Sequence, residues 1–286
     1  ARAAAAARPR RACASSASSP SSPAAPAGGG GALGCEHYGR CGGCDLPTPE
    51  SLLRPPSFER VAAALKARGA GDVPLRLGDA AGWRTKARLA ARRGPGGSVV
   101  LGLFERGSHA VLPVPRCAAH HPSINAAAAM VEASANEAGV QPYDEYDGSG
   151  ELRYVQLVAV SPSGGAGGGP GEACPVQVSL VWNSHEASDT LRALAADLWR
   201  RGGAQLHGVW ANFNAAGGNA IIGDGGWELL HGEAEHWERH LGADVCYAPG
   251  AFQQANRGAF GALLASLAAR VPAGAEVAEL YAGTGA

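Results

Sequence analysis

The sequence predicts an α/β protein. A mixed α+β central domain is followed by the opening strand, loop and helix of a parallel α/β unit. Three observations point there. Two-residue alternation in "WRTKARLAARR" (Trp83–Arg93) sits in the same chain as apolar residues three and four apart in "SDTLRALAADLWRR" (Ser188–Arg201). The length of 286 residues allows a sizeable core and two domains. Near the end, "EVAELYAGTGA" reads as an apolar strand closing in an acidic residue and then Gly283-x-Gly285. Glycines at the carboxyl end of a parallel strand let the backbone approach a nucleotide-like ligand.

Taken in order, residues 1–34 are Ala, Ser, Pro, Gly and Arg apart from Cys13 and Leu33, with no acidic residue before Glu36. Such a segment cannot bury enough apolar surface to offset its ordering entropy. It reads as a disordered transit peptide for an organelle, or as a low-complexity tail. The chloroplast is the expected destination, with mitochondrion or cytoplasm as alternatives. The chain opens on Ala1 and stops inside a strand–loop–helix pattern, so it is expected to be a fragment truncated at both ends. Residues 35–53 form a cysteine segment, 54–245 the central domain and 246–286 the start of a second domain.

Within the central domain, Ser57–Arg68 reads as a helix capped by Ser57, with Phe58, Val61 and Leu65 on one face and Gly69 ending it. In Trp83–Arg93, Thr85, Ala87, Leu89 and Ala91 share one face, and Arg84, Lys86, Arg88 and Arg92 the other. That is a half-buried strand with a cationic outer face. "GPGG" turns it into a hairpin with "SVVLGLF". A helix follows from Ser123 to about Ala138, then strands at Leu152–Val160 and Val176–Trp182, separated by a flexible Gly-rich insertion. Ser188 caps a helix over Asp189–Arg201. A hairpin is expected over Leu206–Ile222, a helix over Ala251–Arg270 and a strand over Glu276–Tyr281.

The formal net charge of −1 conceals an asymmetry. Arg54–Cys117 carries twelve Lys/Arg against four Asp/Glu, whereas the remainder after Cys117 carries seven against eighteen. A basic segment inside an acidic protein is an address for phosphate. No apolar run approaches a membrane span, so no membrane partner is expected.

The seven cysteines are odd in number and clustered, which argues against a secreted disulfide framework. Cys35, Cys41 and Cys44 make C-x5-C-x2-C, and Cys117 in "VLPVPRCAAHHP" is the best fourth ligand. Gly42 and Gly43 let backbone N–H groups come close to sulfur. From spacing alone, zinc and an iron–sulfur cluster are equally open. His37, His120 and His121 are alternative ligands, although two adjacent histidines before Pro122 more often begin a helix. In "YAPGAFQQANRGAF", Gln253, Gln254 and Asn256 are either a solvated face or a recognition edge for a base or cofactor.

In order, these pieces resemble the uracil-5 RNA methyltransferase family, in its iron–sulfur branch acting on large-subunit ribosomal RNA. Its "CGGC" resembles Cys41–Cys44, and its "RGSH…C" resembles Arg106–His109 followed by Cys117. Its "N-x-x-x-GN-x-I-x-GD" resembles Asn212–Asp224. Its "PGSFFQVN" resembles Pro249–Asn256, and its "DLYCGTG" resembles Glu279–Gly285. The chain departs from the family at Pro47 and Ala286, and no OB-type domain precedes the cysteines.

The resemblance implies a [4Fe–4S] cluster on Cys35, Cys41, Cys44 and Cys117. It implies a Rossmann-like methyltransferase domain binding S-adenosyl-L-methionine through Gln254, Tyr281, Gly283 and Gly285. RNA, ribosomal first and transfer second, is the implied partner of the basic strand, and a monomer is expected. The implied chemistry suits uracil: a cysteine thiolate adds to C6, C5 attacks the sulfonium methyl, and a base removes the C5 proton. The target uridine must be lifted from its stack. The family's nucleophile and base follow the glycine loop, so no catalytic residue is assigned within this chain and it is expected to be inactive alone. The rival reading is a non-enzymatic RNA-binding protein with a structural zinc site.

Overall fold

The computed structural model describes residues 31–161, 172–218, 220–280 and 282–284. The alternating strand forms as β1 (Lys86–Arg93). It turns through Gly96 and Gly97, both at positive φ, into β2 (Val99–Phe104), which pairs back antiparallel. A short β3 (Val111–Pro113) closes that edge. On the other side of β1 lie β4 (Leu152–Ala159), β5 (Val176–Trp182), β6 (Leu206–Phe213) and β7 (Trp227–Gly232). The sheet order is β3-β2-β1-β4-β5-β6-β7. Every neighbouring pair is antiparallel except β5 with β6.

Two short helices, α1 (Glu50–Leu53) and α2 (Pro56–Lys66), precede the sheet. Two longer ones cover one of its faces: α3 (Pro122–Glu137) lies against β2, β4 and β5, and α4 (Asp189–Gly202) against β6 and β7. Ser188 caps α4 by accepting from Leu191 N at 3.2 Å. The helix buries Leu191, Leu194 and Leu198 completely. Each such side chain contributes about 1.5–3 kcal/mol of burial. They meet Leu89, Val155, Leu157, Val178, Leu180 and Val209 in the core.

The opposite face of the sheet is polar and partly covered, with Gln156 and Ser179 buried, Trp210 half-buried and Arg88 exposed. Arg88, Gln156, Ser179 and Trp210 stand side by side across β1, β4, β5 and β6. The cover is the irregular chain leading into α5 (Arg257–Ala268). Gln156 Nε2 donates to Pro249 O at 2.7 Å, and Thr85 N to Ala255 O at 2.8 Å. A separate hairpin of β8 (His236–His240) and β9 (Ala243–Tyr247) precedes this segment.

Several expectations are corrected. The helix expected from Ser57 starts at Pro56, because proline suits a first helical position and its missing N–H costs nothing there. Its apolar stripe is not inward: Val61 and Leu65 are exposed, and the helix buries no residue. The hairpin expected over Leu206–Ile222 does not form, since β6 pairs instead with Trp227–Gly232. Side chains hold the intervening chain as a loop. Asn212 Nδ2 donates to Gly223 O and Gly226 O, Asn214 Nδ2 to Ala220 O and Ile221 O, and Arg153 Nη1 to Asn214 O and Ala216 O.

The helix expected from Ala251 begins at Arg257, where Asn256 Oδ1 caps it by accepting from Ala259 N at 2.9 Å. Glu276–Leu280 does not pair as a strand. Tyr281, Gly285 and most of the Gly-rich insertion lie outside the described residues.

Candidate functional site

Cys35, Cys41, Cys44 and Cys117 come from two distant stretches and line one cavity of about 450 Å3. Local hydrogen bonds shape the first stretch: Tyr38 N donates to Cys35 O at 3.1 Å and Cys41 N to His37 O at 2.9 Å. The loop is then laid along the end of β2. Cys41 bridges to Glu105, Gly42 N donates to Phe104 O at 3.3 Å, and Arg106 N to Arg40 O at 2.9 Å. Arg106 Nη2 further holds Cys44 O at 3.0 Å, and Arg116 Nη2 reaches both carboxylate oxygens of Glu36. Cys117 follows β3, its carbonyl accepting from His120 N at 3.2 Å and from Asn125 Nδ2 at 3.1 Å.

Gly43 has a local reason to be glycine. Its N–H lies 3.4 Å from Cys41 Sγ, and an added Cβ would stand 3.4 Å from both that sulfur and Leu103 Cδ1. The thiols also feel one another. Burial pushes the Cys44 thiol up, followed by the negative charge that Cys117, Cys41 and Cys35 would place beside it, while Arg84 opposes. Burial likewise raises Cys117, with the His120 and Ala119 N–H groups acting against it. Thiols arranged this way resist ionising together, and a cation among them removes that penalty.

Among the described residues no group of three or more His, Cys, Asp or Glu side chains has the spacing of a ready-made metal site. Four cysteines nonetheless line one cavity, with the Gly43 N–H 3.4 Å from the sulfur of Cys41. Two of the three histidines are otherwise engaged, while His37 lines the cavity with its Nε2 3.3 Å from Glu36 Oε1. His121 caps α3, accepting from Ser123 N at 3.3 Å. His120 pairs with Asn125, and burial pulls its pKa down to about 4, so it is neutral.

The four basic residues of β1 and its approach are only partly open. The covering segment occupies much of their face. Lys86 Nζ donates to Ala251 O at 2.8 Å, and burial lowers its pKa to about 8. Arg92 is paired with Glu145 at 3.0 Å and ringed by Phe104, Tyr143 and Tyr154. Arg84 stacks over Trp83 and lines the cysteine cavity. Arg88 is exposed, giving Nε to Gln156 Oε1 at 2.8 Å.

Of the three amides in "QQAN", Asn256 is a helix cap, Gln254 is exposed, and Gln253 is buried on the wall of the cysteine cavity. Gly283 takes a positive φ of 61° in the glycine loop.

One constellation was missed by sequence reasoning. His236, Glu238 and His240 share one face of β8, buried against Tyr247 and Arg257. Arg257 Nη2 donates to Glu238 and to Ala159 O, fixing the hairpin to the sheet. Burial alone would raise the Glu238 carboxyl, but the His236 hydrogen bond and the Arg257 charge bring it below the usual range. Tyr247 meets His240 Nε2 at 3.2 Å and hydrogen-bonds Thr284 of the glycine loop. The two-residue spacing of "HWERH" was the available signal.

The chain resembles, in sequence and in fold, proteins named RNA methyltransferases. A crystal structure of Pyrococcus abyssi tRNA (uracil-54, C5)-methyltransferase in complex with S-adenosyl-L-homocysteine superposes with a TM-score of 0.58 at 17% identity, over 82% of this chain and 51% of that one. The chain is a homologue of proteins named RNA methyltransferases. It is 33% identical over 263 residues to an uncharacterised RNA methyltransferase of Protochlamydia amoebophila, covering 89% of this chain and 63% of that protein. It is 29% identical over 230 residues to one of Geobacter sulfurreducens, covering 78% and 44%. Over 95 residues it is 34% identical to the 23S rRNA (uracil(1939)-C(5))-methyltransferase of Halomonas elongata, covering 32% and 20%. The chain thus spans less than two thirds of these relatives' lengths. No protein-family profile matches it.

Proposed function

We propose that this chain is part of an S-adenosyl-L-methionine-dependent enzyme that methylates C5 of uridine in RNA, ribosomal RNA first and transfer RNA second. The observation that carries the reading is the 33% identity sustained over 263 residues to an RNA methyltransferase. The relatives named above are all methyltransferases, which leaves the zinc-scaffold alternative without support.

Residues 35–53 with Cys117 hold a [4Fe–4S] cluster in this reading, residues 54–245 contact RNA, and residues 246–286 begin the cofactor domain. The exposed Gln254 and the backbone at Gly283 would hold the cofactor, with Tyr281 and Gly285 beside them. Bound S-adenosyl-L-methionine would supply an electrophilic methyl group. Cys174 and Cys246 do not suit the attacking thiolate. Cys174 is buried, and burial holds its thiol above the ordinary range. Cys246 lies exposed on β9, on the opposite face of the hairpin from the buried His236 and Glu238.

No helix among the described residues is long and apolar enough to cross a membrane. A monomer in the chloroplast is the accompanying proposal, checked by light scattering and by a fluorescent fusion of residues 1–34. The function is tested by incubating the natural gene product with methyl-labelled cofactor and uridine-containing ribosomal or transfer RNA. Label recovered as 5-methyluridine supports it; RNA left unlabelled by protein of native fold overturns it.

A further inference from the structure

We infer that Gln253 is a hydrogen-bond donor to the metal–thiolate centre of Cys35, Cys41, Cys44 and Cys117, and thereby joins that centre to the segment leading into the cofactor domain. The inference rests on the metal reading above. Gln253 is 8% exposed and lines the same cavity as the four sulfurs. Its Nε2 is fully buried and has no hydrogen-bond partner. A buried amide donor left unpaired carries its full desolvation penalty.

Three neighbouring polar groups on the cavity wall are already committed, whereas His37 Nε2 is, like Gln253 Nε2, buried without a hydrogen bond. Lys86 gives its ammonium to Ala251 O, Arg88 gives Nε to Gln156, and His120 is held by Asn125. Nor can Gln253 relax by moving its backbone. Two residues before it, Ala251 O accepts from Lys86 Nζ at 2.8 Å; two residues after it, Ala255 O accepts from Thr85 N at 2.8 Å and Thr85 Oγ1 at 3.1 Å. The chain is pinned on both sides with the amide turned inward.

Among the acceptors this cavity offers that N–H are the four cysteine sulfurs, which become strong acceptors once they carry negative charge. Thiolates bound to metal are such acceptors, and Gly43 N already approaches Cys41 Sγ from the other wall. N–H groups directed at cluster sulfur stabilise the reduced form and set its potential. Gln253 is therefore a positioning residue for the centre, contributed from 136 residues beyond Cys117. It gives the N-terminal cysteines a direct mechanical tie to the residues beside Gln254.

The test uses the whole chain purified anaerobically, with iron and sulfide measured. Resonance Raman Fe–S(Cys) stretching bands are compared in H2O and D2O. Gln253→Leu and Gln253→Met both remove the donor while filling its space. Expected are retained iron, a smaller deuterium shift than wild type, and a more negative midpoint potential. Loss of iron from either variant with wild-type circular dichroism also supports the inference, because a packing role would disturb the fold. Bands, deuterium shift and potential equal to wild type in an iron-bearing variant overturn it. Wild-type protein that is folded but holds no iron and sulfide overturns the metal reading itself, and this inference with it.

Discussion

Lys86 and Ala251, 165 residues apart, are joined by a hydrogen bond of 2.8 Å from ammonium to carbonyl. This contact closes the covering segment onto β1. It also buries a charge, which brings the lysine down to about 8 from 10.5, through burial first and the nearby Arg88 second. Between those values the unfolded chain binds the proton and the folded chain sheds it. The burial penalty is therefore fully present below about pH 8 and is relieved as pH rises toward 10.5. Lys86→Met should abolish this rise. The measurement is the difference in urea-unfolding free energy, wild type minus variant, across that range. The raised thiols of Cys44 and Cys117 act with the opposite sign in both proteins and cancel in the difference. A difference independent of pH would contradict the assignment.

Anaerobically purified chain should be brown, with roughly four irons per molecule if the centre is of the cubane type. Cys117→Ala should remove colour and iron together. Cys174→Ala should leave both, since Cys174 lies on a different cavity, beside Pro122 and Met130. Colour that survives the first change and is lost with the second would move the fourth ligand.

Arg153 should be worth about 3 kcal/mol, the scale of hydrogen bonds from a buried charged group. It is 3% exposed and donates at 2.7 Å to Asn214 O and 2.6 Å to Ala216 O. Arg153→Leu should lower the unfolding free energy by that amount and speed amide exchange over residues 214–218. Unchanged exchange there would show that the asparagines hold the loop without it.

RNA affinity should separate the basic residues of β1. Arg88 is exposed and keeps guanidinium donors free after its bond to Gln156. Arg88→Gln should flatten the salt dependence of binding by roughly 0.7–0.9 log units per log unit of salt, one phosphate contact. Arg92 is enclosed by three rings and Glu145, so Arg92→Gln should cost stability and leave the slope alone. Equal slopes for wild type and both variants would remove β1 from the RNA surface.

Helix α5 buries no residue, and Leu263 and Leu267 are about half exposed. Contiguous apolar surface of this kind binds dyes and neighbouring chains. The 286-residue chain should bind anilinonaphthalene sulfonate, and Leu263→Gln with Leu267→Gln should reduce the fluorescence severalfold. Equal fluorescence would place the dye elsewhere.

Period alone was enough for β1, β2, β4 and β5 and for the two long helices. Thr85, Ala87, Leu89 and Ala91 alternate into the core, and the Ser188 cap and Leu191, Leu194 and Leu198 are where helical spacing puts them. Cysteine spacing was enough to bring four thiols to one cavity. Side-chain-to-backbone bonds were not legible. Asn212, Asn214 and Arg153 turn an apparent hairpin into a loop, and nothing in local propensity announces a distant arginine. The outer face of β1 looked open for the same reason. Its cover comes from Pro249–Asn256, and contacts at such separation leave no periodic mark. Choosing Gln254 over Gln253 followed the motif, whereas burial singles out the neighbour.

The cysteine cavity has walls made at very different times. Cys35, Cys41 and Cys44 leave the ribosome first and Cys117 later, while Gln253 follows 136 residues after that. At about 5–20 residues per second, roughly 7–27 seconds separate the last thiol from the last wall. During that interval the sulfurs face an open cleft, and the segment that will close it has not been synthesised. In the metal reading proposed above, a carrier reaches the thiols without displacing protein whenever that segment is not yet seated, on the ribosome or after import. Once Lys86 and Thr85 have taken their carbonyls, the same carrier meets a door hydrogen-bonded shut.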